Sequence, residues 1–209
     1  MTIQETSRPS PHQINAHYAG WFDQRMIEFI DTHRGHYEPR ELFKVRNGLF
    51  VTVSFDQNVR HSPPKGFGYS DDDGDRTLTE LDRFSDFYNR LCRTVIGKNF
   101  HRPSHRKNLP LVIACLDVNG TRHWRSMGEL ENPHIHSIWL STNEIAPKVL
   151  ETLNDSEWLG PVKARHRIRQ VDIQRLRPET SPMTGYAAKL IGHNTQELRI
   201  ADDLRILPL

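Results

Sequence analysis

His134-Ile135-His136 is the sharpest chemical signature in the chain. Residues two apart on a strand point to the same face, so both imidazoles can converge on one ion. Pro133 stands directly before them and fixes where such a strand begins. With 12 histidines in 209 residues the spacing arises readily by chance, so the strand context has to carry the argument. A third ligand should come from a neighbouring strand. Asp117 ends the preceding apolar run, and in an antiparallel pairing it can face the region of His134. Glu129 and Glu131 lie just upstream of the histidines and are alternatives that would fold back onto them. The expectation is a metal held by His134, His136 and Asp117.

Tyr186-Ala187-Ala188-Lys189 is the second feature. On a helix, Met183, Ala187, Leu190 and Ile191 make an apolar stripe, with Tyr186, Lys189 and His193 together on its flank. A tyrosine there is either a core-edge residue or a nucleophile. Its reference pKa of about 10 leaves about one phenol in a thousand ionised near neutrality. Lys189, one turn away, would stabilise the phenolate or the charge developing on a phosphate. A metal at the histidines and a nucleophile at Tyr186 together suggest attack on a phosphodiester. A covalent phosphotyrosine keeps the bond energy, so the strand can be rejoined without a nucleotide cofactor.

Composition is compatible with this chemistry. Hydrophobic residues make up 36% and charged residues 26%, as in an ordinary globular protein. No apolar run reaches transmembrane length, and the first residues lack the pattern of a secretory signal. Cys92 and Cys115 sit in apolar surroundings without metal-ligand spacing, which fits buried thiols in a reducing cytoplasm. The net charge is only +2, but the charges are segregated. Lys163, Arg165, Arg167 and Arg169 alternate, with Arg175 and Arg177 behind them; Lys98, His101, Arg102, His105, Arg106 and Lys107 form a second cluster. Acid concentrates in Asp71-Asp72-Asp73-Gly74-Asp75. Separated basic patches can hold a phosphate backbone on a nearly neutral chain. A solvated surface accounts for them equally well.

The elements that must position these groups are legible in the hydrophobic periodicity. Residues 1–12 are polar and proline-containing and read as a loose segment ahead of a single domain over 13–209. Ile14, Tyr18, Trp21, Phe22, Met26 and Phe29 predict a helix over 13–30. Residues 48–55 alternate, with Leu49, Val51, Val53 and Phe55 on one face and Phe50, Thr52 and Ser54 on the other. A loop follows over 56–76, and then a helix opened by a Thr77/Glu80 capping box. Residues 99–110 read as a basic loop, 111–118 as a strand buried on both faces, and 133–140 as a third strand. A short helix to about Asn154, a basic strand over 168–177 and a last helix from Ser181-Pro182 to about Ile191 complete the order. Strand, helix, strand, strand, helix, strand is the split β-α-β order of an α+β, ferredoxin-like antiparallel sheet. The N-terminal helix and the C-terminal, tyrosine-bearing helix are additions to it.

In this arrangement the sequence resembles the HUH endonuclease superfamily, in particular single-tyrosine replication initiators of rolling-circle type. Phe50-Val51-Thr52-Val53-Ser54-Phe55 looks like the first family motif, Pro133-His134-Ile135-His136-Ser137-Ile138-Trp139-Leu140 like the metal motif, and Tyr186-Ala187-Ala188-Lys189 like the tyrosine motif. The likeness covers about residues 48–193. It implies nicking and joining of single-stranded or cruciform DNA with Mg²⁺ or Mn²⁺. In that role His134 and His136 are ligands, Tyr186 the nucleophile and Lys189 its helper, in a bacterial cytoplasmic protein of a plasmid, phage or integrated element. The sequence departs from the family at residues 125–127, where many relatives carry an acidic ligand and this chain carries none. No Gly-x-x-x-x-Gly-Lys loop is present, so unwinding would fall to a separate host helicase. A transposase or relaxase would share this chemistry. A non-catalytic DNA-binding regulator would share the basic stretch, and a water-using metal phosphohydrolase would share the histidines.

Overall fold

The computed structural model describes residues 10–56, 79–119, 131–178, 184–185, 187 and 204–208. Five strands form one antiparallel sheet: β1 (Gly48–Phe55), β2 (Leu111–Asn119), β3 (Glu131–Leu140), β4 (Ile168–Arg175) and β5 (Leu204–Leu207). Their order is β4-β1-β3-β2-β5. β3 is inserted between β1 and β2 and pairs antiparallel with both, so β1 and β2 run parallel to each other. The described residues are α+β, with helices α1 (Pro11–His33), α2 (Arg40–Asn47), α3 (Glu80–Val95), α4 (Ala146–Asn154) and α5 (Ser156–His166). Among the described residues no helix is long and apolar enough to cross a membrane.

The pleat sorts each strand onto two cores. Leu49, Val51, Val53 and Phe55 of β1 and Ile135 and Trp139 of β3 pack with Leu81, Phe84, Phe87 and Leu91 of α3, Val149 of α4 and Val162 of α5. On the opposite face Phe50, Leu111, Ile113, Ile138 and Leu140 pack under Phe22, Met26 and Ile30 of α1 and Phe43 of α2. The spacing of those α1 residues, four apart, brings them onto one side of the helix. β2 is central, between β3 and β5, and Leu111 through Cys115 are all buried.

Several boundaries differ from the sequence expectation. Helix α1 begins at Pro11, because Ser10 and Gln13 form a reciprocal capping box with proline in the first turn. Residues 10–12 therefore belong to the folded helix, and 1–9 lie outside the described residues. Helix α3 is capped by Thr79 with Asp82, not by Thr77 with Glu80: Asp82 N–H donates to Thr79 Oγ1 at 3.2 Å and Thr79 N–H to Asp82 Oδ2 at 3.1 Å. Pro103–Asn108, within the expected basic loop, is a 3₁₀-helix. Helices α2 and α5 and strand β5 are additional elements. Of the alternating cations, Lys163 and Arg165 lie on α5, Arg167 is its left-handed C-cap (φ 55°) and Arg169 is on β4.

Helix α2 runs directly into β1 at Gly48. A Cβ there would come within 2.5 Å of both Leu176 Cδ1 and Lys44 O, so only glycine permits this close turn from helix to strand.

Candidate metal centre

Strand register builds the site. Asp117 on β2 lies opposite His134 on β3, and Cys115 lies opposite His136. On the other side of β3, Thr52 lies opposite His136 and Ser54 opposite His134. Directly opposed residues share a face of the sheet, so the ladder itself gathers Thr52, Asp117, His134 and His136. The face is the one covered farther along by α1.

The result is a tight group. Asp117 Oδ2 lies 3.3 Å from His136 Nε2 and 3.6 Å from His134 Nε2. The imidazole planes are nearly perpendicular, with centroids 4.7 Å apart. Asp117 and His136 are buried, and the His134 side chain, at 12%, is the most exposed of the three. Among the described residues it is the one cluster whose ligand atoms, all within 4.8 Å of one another, could hold a metal ion. Ions of this kind hold donors at about 2.0–2.2 Å, which puts neighbouring ligand atoms roughly 3–4 Å apart. The carboxylate-to-imidazole distances fit that spacing.

Two further residues position His136. Thr52 Oγ1 and His136 Nδ1 are hydrogen-bonded at 3.1 Å, which directs Nε2 toward Asp117. The Phe50 ring stacks on the His136 ring at 5.6 Å and 26°, limiting its rotation. Sequence reasoning placed Phe50 and Thr52 on one strand face but assigned them no part in the site. The signal was available: they share parity with each other, and only the register was needed to set Thr52 against His136.

Of the expected site residues, Asp117, His134 and His136 come together. Glu131 lies on β3 opposite Asn119. Glu129, Tyr186 and Lys189 lie outside the described residues. Neighbours of position 186 are described. Thr184, Gly185 and Ala187 have helical backbone, Thr184 and Ala187 are buried, and Ala187 belongs to the same core as Phe22, Phe50 and Cys115. Helix α1 grips this segment: Asn15 Nδ2 donates to Gly185 O at 3.4 Å, and Asp23 is hydrogen-bonded to Thr184. Burial raises the Asp23 pKa, opposed by that bond and by Lys44, which itself donates to Pro178 O.

A separate cleft of about 450 Å³ opens at the far end of β1, between Arg46, Leu49, Asn143, Leu150 and Arg175. It contains none of the candidate ligands. Compared with known proteins, the chain matches no family model, no curated protein and no solved structure.

Proposed function

We propose that this chain is a metal-dependent enzyme that nicks and rejoins single-stranded DNA by HUH-type chemistry, with Tyr186 as nucleophile. Its role would be to initiate rolling-circle replication of a plasmid, phage or integrated element. The observation that carries the reading is the convergence of Asp117, His134 and His136 on the sheet face where Thr184 and Ala187 are buried. The β4-β1-β3-β2 order also agrees with the ferredoxin-like core that this chemistry is built on.

In this reading His134, His136 and Asp117 hold the ion. When bound, the ion polarises the scissile phosphate and offsets charge that develops on its oxygens. One carboxylate and two neutral imidazoles leave a divalent site with a net positive charge, suited to a phosphate. The ion is Mg²⁺ or Mn²⁺, and the two nitrogen donors favour Mn²⁺, the softer of the two. Thr52 and Phe50 keep His136 in the ligating orientation before DNA arrives.

Tyr186 Oη forms a bond to phosphorus as the bond from phosphorus to the 3′-oxygen breaks. The phenolic proton leaves with the reaction and the 3′-oxygen gains one, giving a 5′-phosphotyrosine and a free 3′-hydroxyl. Lys189 assists by stabilising the phenolate. Reversal joins the strands. DNA is the partner, and duplex opening falls to a separate helicase.

The test is incubation with a pool of single-stranded oligonucleotides and Mn²⁺, followed by denaturing electrophoresis. A protein–DNA adduct should form, and Tyr186→Phe and His136→Ala should each abolish it. Cleavage that survives Tyr186→Phe would replace this reading with hydrolysis by water. Binding without cleavage would leave a DNA-binding regulator.

A further inference from the structure

Helix α1 does more than cover the sheet. Three rings follow one another along its first half. His17 and Tyr18 meet edge to face at 5.5 Å and 84°, and Tyr18 and Trp21 at 6.3 Å and 86°. Phe22 is fully buried behind them and anchors the row, at 6.4 Å from Tyr18 and 5.9 Å from Trp21. Trp21 is nevertheless 37% exposed, and Tyr18 is half-buried. Beside them Ala16 and Gly20 are exposed, and a Cβ added at Gly20 would meet nothing within 4 Å. The rings thus stand beside a low, open surface with room for a flat group.

No acidic side chain in this stretch would repel a polyanion. Residues 10–22 contain no aspartate or glutamate but two histidines, His12 and His17, both exposed. His12 lies in the first turn of the 23-residue helix, where the N-terminal dipole is positive. The same stretch of α1 holds the chain next to position 186 through Asn15 and Gly185 O. An aromatic row, a stretch without acid and contact with the segment around position 186 occur together on three turns of one helix.

We propose that Tyr18 and Trp21 form a stacking platform for unpaired bases of the DNA strand that enters the metal centre. The proposal rests on the nickase reading for its choice of partner. Aromatic side chains bind single strands in this way because every base presents a π-face, and loss of one such stack weakens binding by roughly five- to a hundred-fold. The platform would therefore grip the strand with little regard to sequence, while the metal centre handles the phosphate.

The experiment measures binding without metal, so that cleavage does not enter. Labelled dT20 and an abasic 20-mer of equal charge are titrated by fluorescence anisotropy against the full chain. The native protein should bind dT20 at least ten-fold more tightly than the abasic strand. Trp21→Ala should remove most of that preference while leaving abasic binding unchanged, and Trp21→Phe should restore part of it. Tyr18→Phe should retain it. Circular dichroism melts of each variant verify folding, and Trp21→Phe, which keeps a ring on the helix, remains informative if Trp21→Ala unfolds. Equal binding of the two strands by native protein, or a preference for dT20 undiminished in Trp21→Ala, would overturn the platform. These results are independent of the adduct assay. Base preference lost in Trp21→Ala, without any adduct, would support the platform and sink the nickase; an adduct with base preference intact in Trp21→Ala would do the reverse.

Discussion

The two faces of the sheet are built from the same strands but serve different ends. On β3, Ile135, Ser137 and Trp139 point toward α3, while His134, His136, Ile138 and Leu140 point toward the α1 side. On the α3 face β1 is apolar from Leu49 to Phe55, and the polar Ser137 on β3 is tied into a pair of buried hydrogen bonds. There Trp139 Nε1 donates to Ser137 Oγ at 2.8 Å, and Ser137 Oγ donates to Val51 O at 2.7 Å. The α1 face is apolar only at the Leu111 and Leu140 end. Toward Asp117 it changes to ionisable groups. One face is apolar along β1, and the other gives up apolar packing at one end for a buried cluster that could hold a metal ion. Both polar ends of that contrast can be broken separately.

The largest effect should come from the α3 face. Trp139 is fully buried against Phe84, Phe87 and Tyr88. Trp139→Ala should destabilise the fold by about 3–5 kcal/mol, read as a lower urea midpoint. Any molecules that remain folded should still respond to Mn²⁺, because the ligands lie on the other side of the sheet. His136→Ala should do the opposite. Native protein at a Mn²⁺ concentration a hundred times its Kd gains about 2.7 kcal/mol, several degrees in a thermal melt. The variant should lose that gain, and EDTA should remove it from native protein. A Mn²⁺ shift that survived His136→Ala would separate the ion from this cluster.

This asymmetry explains what could be read from the sequence. Alternation in 48–55 and the apolar run from Leu111 to Leu116 give β1 and β2 directly, since a strand half-buried or buried on both sides leaves that mark. The same parity gathered His134 and His136, and strand position favoured Asp117 over Glu129 and Glu131. Other elements left weaker marks. Helix α2 is eight residues long and buries a single large apolar residue, Phe43. Helix α5 contains Gly160 and Pro161, which read as breakers, yet Asp155 caps its start by accepting from Glu157 N at 2.9 Å. Strand β5 has only four residues and gains its place by pairing with β2. Capping was ambiguous because Thr77-Leu78-Thr79-Glu80-Leu81-Asp82 contains two threonines, each with an acid three residues on. Thr52 could not be assigned without register, which is a tertiary property.

A titration separates the faces further. His166, at the end of α5 on the α3 side, is buried, and its pKa falls to about 4 through burial and then through Arg165, Arg90 and Arg83. An unfolded histidine titrates near 6.5. Between those values the unfolded chain takes up a proton that the folded chain refuses, so stability is lost as pH falls from about 6.5 toward 4. Between pH 6.5 and 5 this should remove about 1–2 kcal/mol. His166→Gln should flatten that part of a urea-unfolding profile. An unchanged slope would mean that other groups set the acid response.

The finest comparison deletes one hydroxyl from each face. Ser137→Ala leaves the buried Trp139 N–H without its acceptor and removes the side-chain donor to Val51 O, at a cost of about 1–3 kcal/mol in urea unfolding. Metal affinity should not change, because Ser137 points away from the histidines. Thr52→Val keeps the shape and removes the hydrogen bond to His136 Nδ1. Its stability cost should be smaller, about 0.5–1.5 kcal/mol, since the position is only half-buried. Its Mn²⁺ affinity, measured by calorimetry, should instead fall about 10- to 100-fold, the usual effect of removing a group that orients a ligating histidine. Opposite results, with Ser137→Ala weakening metal binding and Thr52→Val leaving it intact, would mean that the two faces are coupled through β3. The division between a stabilising face and a binding face would then be false.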